Sequence, residues 1–532
     1  MQYFLLNKIG NTARQLFFVL SLPAFLIIST VSAQKNYYFS SNSTSEENGT
    51  IHHPFQSLQK LSQIQLQPGD TVFFRGGDTL KGNINLGNIS GTRKHPVVFT
   101  SYNKGKATIN GENKGAFLIN ASNNFQINHL AFLGAGRKTG NTADGIKLVN
   151  CKEVSVKNLD IAGFQKCGII LYDCKNAEVD SVYAHDNGYT GILVEGDYQK
   201  RISDNIHIIN CRAENNPGDP TVLDNHSGNG ILVGNCKNVL IEYCTATNNG
   251  WDMPRVGNGP VGIWAYEADS VIIQYCISYY NKTANGASDG GGFDLDGGVT
   301  NSIIQYCLSY GNEGSGYGIY QYWSAGNWYN NTVRYCISIN DGFVTDKAGA
   351  MLIWNGWNGD STFTKFYAYN NFFYNDTKYA FSFAPESQHR NFSFFNNIFI
   401  ASDTSDIYYG TDSSTNDIFL GNIWMKKNGG FMQNGFTDFE KWSASTGYEQ
   451  LNGRLIGASV QKSLFSLPHH INITNPYELK TNVLLHTLCD PALRSKGIDI
   501  TKMFGIDIGK TDFFGQPVSL GDGFEPGICE MK

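Results

Sequence analysis

Charge is scarce in this sequence. Asp, Glu, Lys and Arg together make up 16% of the 532 residues, and the formal net charge is −6. No stripe of basic residues is present, which excludes a nucleic-acid partner held through its phosphates. Proline is scarce as well, at 14 residues, so no proline-rich linker divides the chain. No pair of cysteines takes the CxxC spacing and no pair of histidines the HxxxH spacing, which removes the usual zinc frameworks. After the first thirty residues no apolar run nears the roughly 18 residues needed to span a bilayer. What the chain does have is glycine, 58 residues, and aromatic rings, among them 28 Tyr and 34 Phe.

The N-terminus carries Lys8 and Arg14, then an apolar run from Leu16 to Ile28, then Val31-Ser32-Ala33 before Gln34. That order of basic, apolar and small residues predicts a signal peptide over 1–33. The mature protein is then expected to be secreted or periplasmic, without a membrane span, and monomeric.

Three near-copies of one phrase recur through the middle of the chain: Ile273-Gln274-Tyr275-Cys276-Ile277-Ser278, Ile304-Gln305-Tyr306-Cys307-Leu308-Ser309 and Val333-Arg334-Tyr335-Cys336-Ile337-Ser338. The cysteines at 244, 276, 307 and 336 are 32, 31 and 29 residues apart. Degenerate copies end at Cys211, Val182 and Phe366. Five residues after each copy comes Asn or Asp: Asn187, Asn216, Asn249, Asn281, Asn312, Asp341 and Asn371. A fixed period with small drift marks a solenoid. Short β-branched runs broken by Asn and Gly make each repeat a coil of short strands. The fold class expected is all-β, a parallel β-helix of about nine to eleven rungs. The repeated Asn should bond along the stack, and the stacked thiols should be buried as small apolar groups. Cys489 and Cys529 lie outside the repeats, either bridged or free.

The divisions expected are an N-terminal cap over 34–95, the β-helix over 96–425, an irregular crossover with a short helix over 426–488, and a tail over 489–532 that packs back on the coil. Asn36-Tyr37-Tyr38-Phe39-Ser40 and Pro68-Gly69-Asp70-Thr71-Val72 near the start, with Asp490-Pro491-Ala492 and Asp512-Phe513-Phe514-Gly515 near the end, resemble the secreted polysaccharide-degrading β-helix proteins. Together with the rungs between them, they make the chain similar to the pectin-lyase-like superfamily of right-handed parallel β-helices over nearly its whole mature length. The resemblance implies a carbohydrate-active protein with a polysaccharide as partner. It does not fix the reaction, because that superfamily holds hydrolases, lyases, epimerases, esterases and adhesins.

One strand column can be aligned: Gly191 to Glu195, Gly230 to Gly234, Gly262 to Tyr266, Gly292 to Asp296, Gly318 to Tyr322 and Ala350 to Trp354. Side chains alternate across a strand. The second and fourth positions are mostly aliphatic or Phe and face the core, so the third and fifth face outward. That face carries Asp294 and Asp296, roughly 7 Å apart at Cα. Trp264 and Tyr266 are expected on one side of them, and Tyr320, Tyr322 and Trp354 on the other. An acidic pair between aromatic rings suits a sugar chain, with CH faces on the rings and carboxyl groups at the bond. The same Asp residues could instead cap turns.

The chemistry that follows is glycoside hydrolysis by paired carboxyl groups. Asp294 and Asp296 are the expected acid and base, with Asp289 as a third carboxylate and Glu313 as a substitute; His226 and Asn258 are further candidates for substrate contact. No cofactor is required, though Ca²⁺ could be held by Asp289 and Asp296. The Asn-Thr-Asp, Asp-Asp and His-Gly triplets of the polygalacturonase group are not all present, so the roles assigned in that group do not transfer. A polysaccharide lyase acting on a uronate is the competing reading, with Lys282, Arg255 or Tyr320 as base and Ca²⁺ as counter-charge. A third is a non-catalytic sugar-binding β-helix.

Overall fold

Each turn of the chain makes three short parallel strands, one in each of three sheets. Asp269–Gln274 in the first sheet is followed by Ile277–Tyr279 in the second and Gly291–Leu295 in the third, after which the chain rejoins the first. In this computed structural model the described residues are 34–531, except 43–45, 346, 357–358, 360, 386, 411–413, 415 and 519–522. Gln34–Lys532 form one compact unit. The expected signal peptide lies outside the described residues.

The first and second sheets have 14 strands each and the third has 12, with every ladder between rungs parallel. The coil is therefore longer than nine to eleven rungs. Strands Thr71–Arg75, Thr79–Lys81 and Ile84–Gly87, assigned from sequence to the opening cap, already pair in register with the next rung. At the other end, Ala458–Ser459 still pairs with Ile423–Lys426 in the second sheet. Within 426–488 a helix spans Phe439–Thr446, with Asp438 accepting a hydrogen bond from the Lys441 N–H at its start and Gly447 left-handed at its end.

Alternation drives the packing. In Cys236–Glu242, Val239 and Ile241 are buried while Leu240 and Glu242 are less so; one continuous apolar core runs inside the coil from Phe39 to Trp442. The repeated Gln-Tyr-Cys phrase is the corner between the first and second sheets. Its Tyr takes a left-handed backbone, with φ of 52°, 55° and 48° at Tyr275, Tyr306 and Tyr335. A bulky residue with positive φ is uncommon, and here the rings stack on one another: Tyr275 and Tyr306 lie 5.0 Å apart and Tyr306 and Tyr335 5.7 Å. Its Cys points inward, and Cys244, Cys276, Cys307 and Cys336 are all buried and free.

The asparagines form the ladder expected of them. Each Nδ2 donates to the next Oδ1, from Asn216 to Asn249 at 2.9 Å, Asn249 to Asn281 at 2.9 Å, Asn281 to Asn312 at 2.9 Å and Asn312 to Asp341 at 2.8 Å. Asn371 does not continue this run. It lies one rung beyond Cys336, whose N–H donates to its Oδ1 at 2.9 Å, and starts a second ladder through Asn397 and Asn422 to Glu449. The copy read at Phe366 lies opposite Asn331, short of the Cys336 corner, so Asn371 itself takes the cysteine's place.

Segments of the tail contact the coil, Asp507 through Arg334 and Tyr369 and Glu525 through Asn370, and Cys489 and Cys529 are bridged. The tail covers Arg334. In sequence that residue reads as a surface member of the column Gln274, Gln305, Arg334. Those three do pair in register, but Arg334 is buried, donating to Gln305 Oε1 at 2.8 Å and to the Asp507 carbonyl at 2.7 Å.

Removing one rung of the ladder should be costly. Asn281→Ala deletes hydrogen bonds on both sides in a fully buried site and should lower the unfolding free energy by about 3 kcal/mol or more. Denaturant unfolding of the variant against the parent measures this.

Candidate active site

The third sheet sets the site. In it Trp264 lies directly opposite Asp294, as the sequence alignment expects. On the other side the register differs. Phe293 pairs with Tyr317 and Asp294 with Gly318, whereas Tyr320 pairs with Trp354. The sequence alignment, which placed Gly318 level with Gly292, is two residues out at this rung. The reason is steric. The glycine at the head of each strand lies against a ladder side chain, and a Cβ on Gly292 would sit 3.0 Å from Asn312 Nδ2. Gly316 holds the equivalent place, its added Cβ falling 2.6 Å from Asp341 Oδ2.

A two-residue shift preserves which face each side chain takes, but it changes the neighbours. Asp294 has Trp264 on one side and Gly318 on the other. The Tyr320 ring fills the space over Gly318: an added Cβ there would meet that ring at 2.7 Å and Asp294 Cγ at 3.0 Å. Tyr320 Oη shares a hydrogen bond of 2.8 Å with Ser315 Oγ. Tyr322 does not flank Asp296 on a neighbouring strand. It lies beyond the end of its own strand, with its ring over Gly297 and its hydroxyl donating to Glu267 Oε1 at 3.4 Å. Trp354 is 39% exposed, its ring 6.3 Å from that of Tyr320 and edge-on to it.

Three carboxyl groups meet here. Asp294 is only 2% exposed, and its Oδ1 is buried with no hydrogen-bond partner. Burial first, then the charges of Asp296 and Asp289, push its pKa well above the usual carboxylate range. Asp296 is half-buried; its Oδ1 accepts from the Gly297 N–H at 2.7 Å, yet burial outweighs that bond and raises its pKa to about 7. Asp289 accepts from the Gly259 N–H at 2.8 Å and is raised by burial to about 6. No cation is among the groups shifting any of the three. Among the described residues no group of three or more His, Cys, Asp or Glu side chains is placed to hold a metal.

The other candidates lie around this carboxyl cluster rather than within it. Glu313 Oε2 accepts from the Thr283 N–H at 2.9 Å and ties two loops together. Asn258 is exposed, held by Arg255 and by Asn225. His226 is buried beside Trp264, ring centroids 5.0 Å apart. The glycines at 290 and 291 make room for neighbouring backbone at Lys282 and Ser315.

Two acidic residues escaped the sequence reading as site residues. Glu195 accepts from Tyr266 Oη and, at 2.6 Å, from Asn235 Nδ2; its place on the outward face was visible, its partners were not. Glu267 is buried and accepts from the Gly326 N–H at 2.8 Å and Gln199 Nε2 at 3.1 Å. It follows Tyr266 at a strand end, where alternation no longer tells direction.

The family described as Pel9A-like, right handed beta helix region, matches residues 37–375. No curated protein sequence matches the chain. Among solved structures, a mannuronic acid specific polysaccharide family 6 lyase from human gut microbiota is 17% identical, with a TM-score of 0.52 over 78% of this chain and 90% of that one. The GH136 lacto-N-biosidase from Eubacterium ramulus is also 17% identical, with a TM-score of 0.49 over 72% of this chain and 68% of that one. Pectate lyase Pel9A is 15% identical, with a TM-score of 0.41 over 74% and 80%. The first of these likenesses shows the shared fold.

The raised carboxyl groups give a stability signature. Asp289 and Asp296 are protonated in the folded state at pH values where they are ionised in the unfolded chain, so their favourable contribution is full below about pH 4 and is lost as pH rises through about 6 and about 7. Asp296→Asn should therefore unfold at a higher temperature than the parent at pH 8 and at nearly the same temperature at pH 4. Thermal unfolding of both proteins across that range checks the sign.

Proposed function

Because the chain belongs to the Pel9A-like right-handed β-helix family, we propose that it is an exported carbohydrate-active enzyme, and that it hydrolyses glycosidic bonds. The observation that carries this is a cluster of three carboxyl groups, Asp294 between Trp264 and Tyr320 with Asp289 and Asp296 nearby, all with pKa values raised by burial. A glycoside hydrolase needs one carboxyl protonated and one ionised at its working pH.

Asp289 and Asp296 keep solvent contact, so they are the pair that meets substrate. Asp296, at about 7, holds the proton that passes to the leaving glycosidic oxygen. Asp289, at about 6, is the ionised partner. It either draws the proton from the attacking water or attacks the anomeric carbon itself. Asp294 stays neutral behind them, and its apolar surroundings keep it so. Elimination from a uronate is less well served. The Tyr320 hydroxyl is bonded to Ser315 and burial pushes its pKa up, which makes it a poor base. The Arg255 guanidinium is occupied by Asn258.

Incubation with neutral and uronate-containing polysaccharides, following reducing ends together with the ultraviolet absorbance of an unsaturated uronate, tests the reaction. New reducing ends without that absorbance are expected; both rising together would overturn hydrolysis. Asp296→Asn and Asp289→Asn should each lower kcat by about 10³-fold. The pH profile of kcat/KM should rise through about 6 and fall through about 7.

A further inference from the structure

The outward face of the third sheet changes character at Asp294. On the rungs before it, Ile170, Leu193, Leu232 and Trp264 point outward and are nonetheless buried, forming one apolar cluster with Cys167 and Val261 under Tyr172, Tyr189 and Tyr266. On the rungs after it, Leu352 is half-buried and Trp354 exposed.

The cover over the earlier rungs is bound together. Arg137 donates to the Gly218 carbonyl at 3.0 Å and pairs with Asp252, and Lys138 reaches the same carboxylate at 2.5 Å. Three loops between the second and third sheets are thus tied together, the one carrying Arg137 reaching past the two short connections at 163–166 and 186–189. On the opposite edge, Glu195 is held by Tyr266 and Asn235. A glycan could not lie along this part of the sheet without breaking those contacts.

His226 stands where the cover meets the acidic centre. Its ring lies between Tyr189, 5.9 Å away, and Trp264, which pairs with Asp294. The hydrogen bonds fix its tautomer. Asn229 Oδ1 accepts from Trp264 Nε1 at 3.1 Å and from the Val261 N–H at 3.3 Å, so the amide nitrogen of Asn229 must face His226. That nitrogen donates to Nδ1 at 3.1 Å, which leaves the proton on Nε2. Nε2–H has no acceptor among the described residues. Burial, with the nearby Arg255 charge, lowers the His226 pKa to about 4, so the ring stays neutral where the carboxyl pair works.

We infer that the cleft is open toward Trp354 and closed at Trp264, that the enzyme takes the end of an uncharged glycan chain, and that His226 Nε2–H donates to the terminal sugar at the closed end. This rests on the hydrolase reading. A neutral donor, three clustered carboxyl groups, and Arg137, Lys138 and Arg255 already engaged with Asp252 or Asn258 favour an uncharged sugar over a uronate carboxylate. They do suit a sugar hydroxyl or carbonyl oxygen. His226 acts as a specificity-determining residue and takes no part in moving the proton.

Product release from a cleaved neutral polysaccharide distinguishes the possibilities. Chain-end attack yields one short product from the earliest time, with viscosity nearly constant as reducing ends accumulate. An early fall in viscosity with products of mixed length would overturn the closed cleft and leave hydrolysis standing. Absence of cleavage of every neutral glycan would overturn the hydrolase reading, and this inference with it. On the same polymer, His226→Ala should raise KM about tenfold with kcat nearly unchanged, and His226→Gln, which keeps a donor, should restore most of the loss. An unchanged KM in His226→Ala would overturn the assigned donor.

Discussion

The close approach between a strand-leading glycine and the ladder side chain beside it governs this molecule. Each ladder side chain bonds to a neighbouring rung and occupies the space a Cβ would take, as Asn312 does beside Gly292 and Asp341 beside Gly316. Register in a sheet fixes which side chains share a face, and a slip of one residue would turn every outward group inward. The ladder therefore does more than satisfy buried polar groups. It determines that Asp294 lies level with Trp264 and that Gly318 leaves a gap for the Tyr320 ring.

From that placement the electrostatics follow. Two outward positions on one strand, with a third carboxyl in the preceding loop, bring three acidic groups together at a surface walled by rings. No cation offsets them. Low polarity penalises each charge, and the charges penalise one another, so protons are retained near neutrality. The rungs on either side differ in what covers them. That asymmetry turns a repeating scaffold into a directional site.

Much of this was legible in the sequence, because a solenoid writes its geometry into spacing. The period gave the rungs, and alternation gave the outward face bearing Asp294 and Asp296. The neighbours of that face were harder to read. Ser-Gly-Tyr-Gly at 315–318 offers two glycines that could head the strand, and only contact with Asp341 selects Gly316. Phe366 resembles the start of another copy but lies opposite Asn331, so Asn371 falls in the other ladder. Contacts made by distant segments left no local trace: the tail over Arg334, the Asn229 amide on His226, and the loops that bury Ile170 and Leu232. Such contacts depend on loop paths rather than on period.

The eleven cysteines fall into nine buried thiols and one bridge, Cys489 to Cys529. The nine lie between 151 and 336, and the bridged pair lies in the last forty-four residues. A chain made from its N-terminus and coiled rung on rung can bury each thiol as its own turn closes, since every rung contacts mainly its neighbours. Both partners of the bridge arrive after that interior has formed. Order of synthesis thereby separates the sulfurs that must stay reduced from the two that join, with no need for the fold to discriminate among eleven equivalent groups at once.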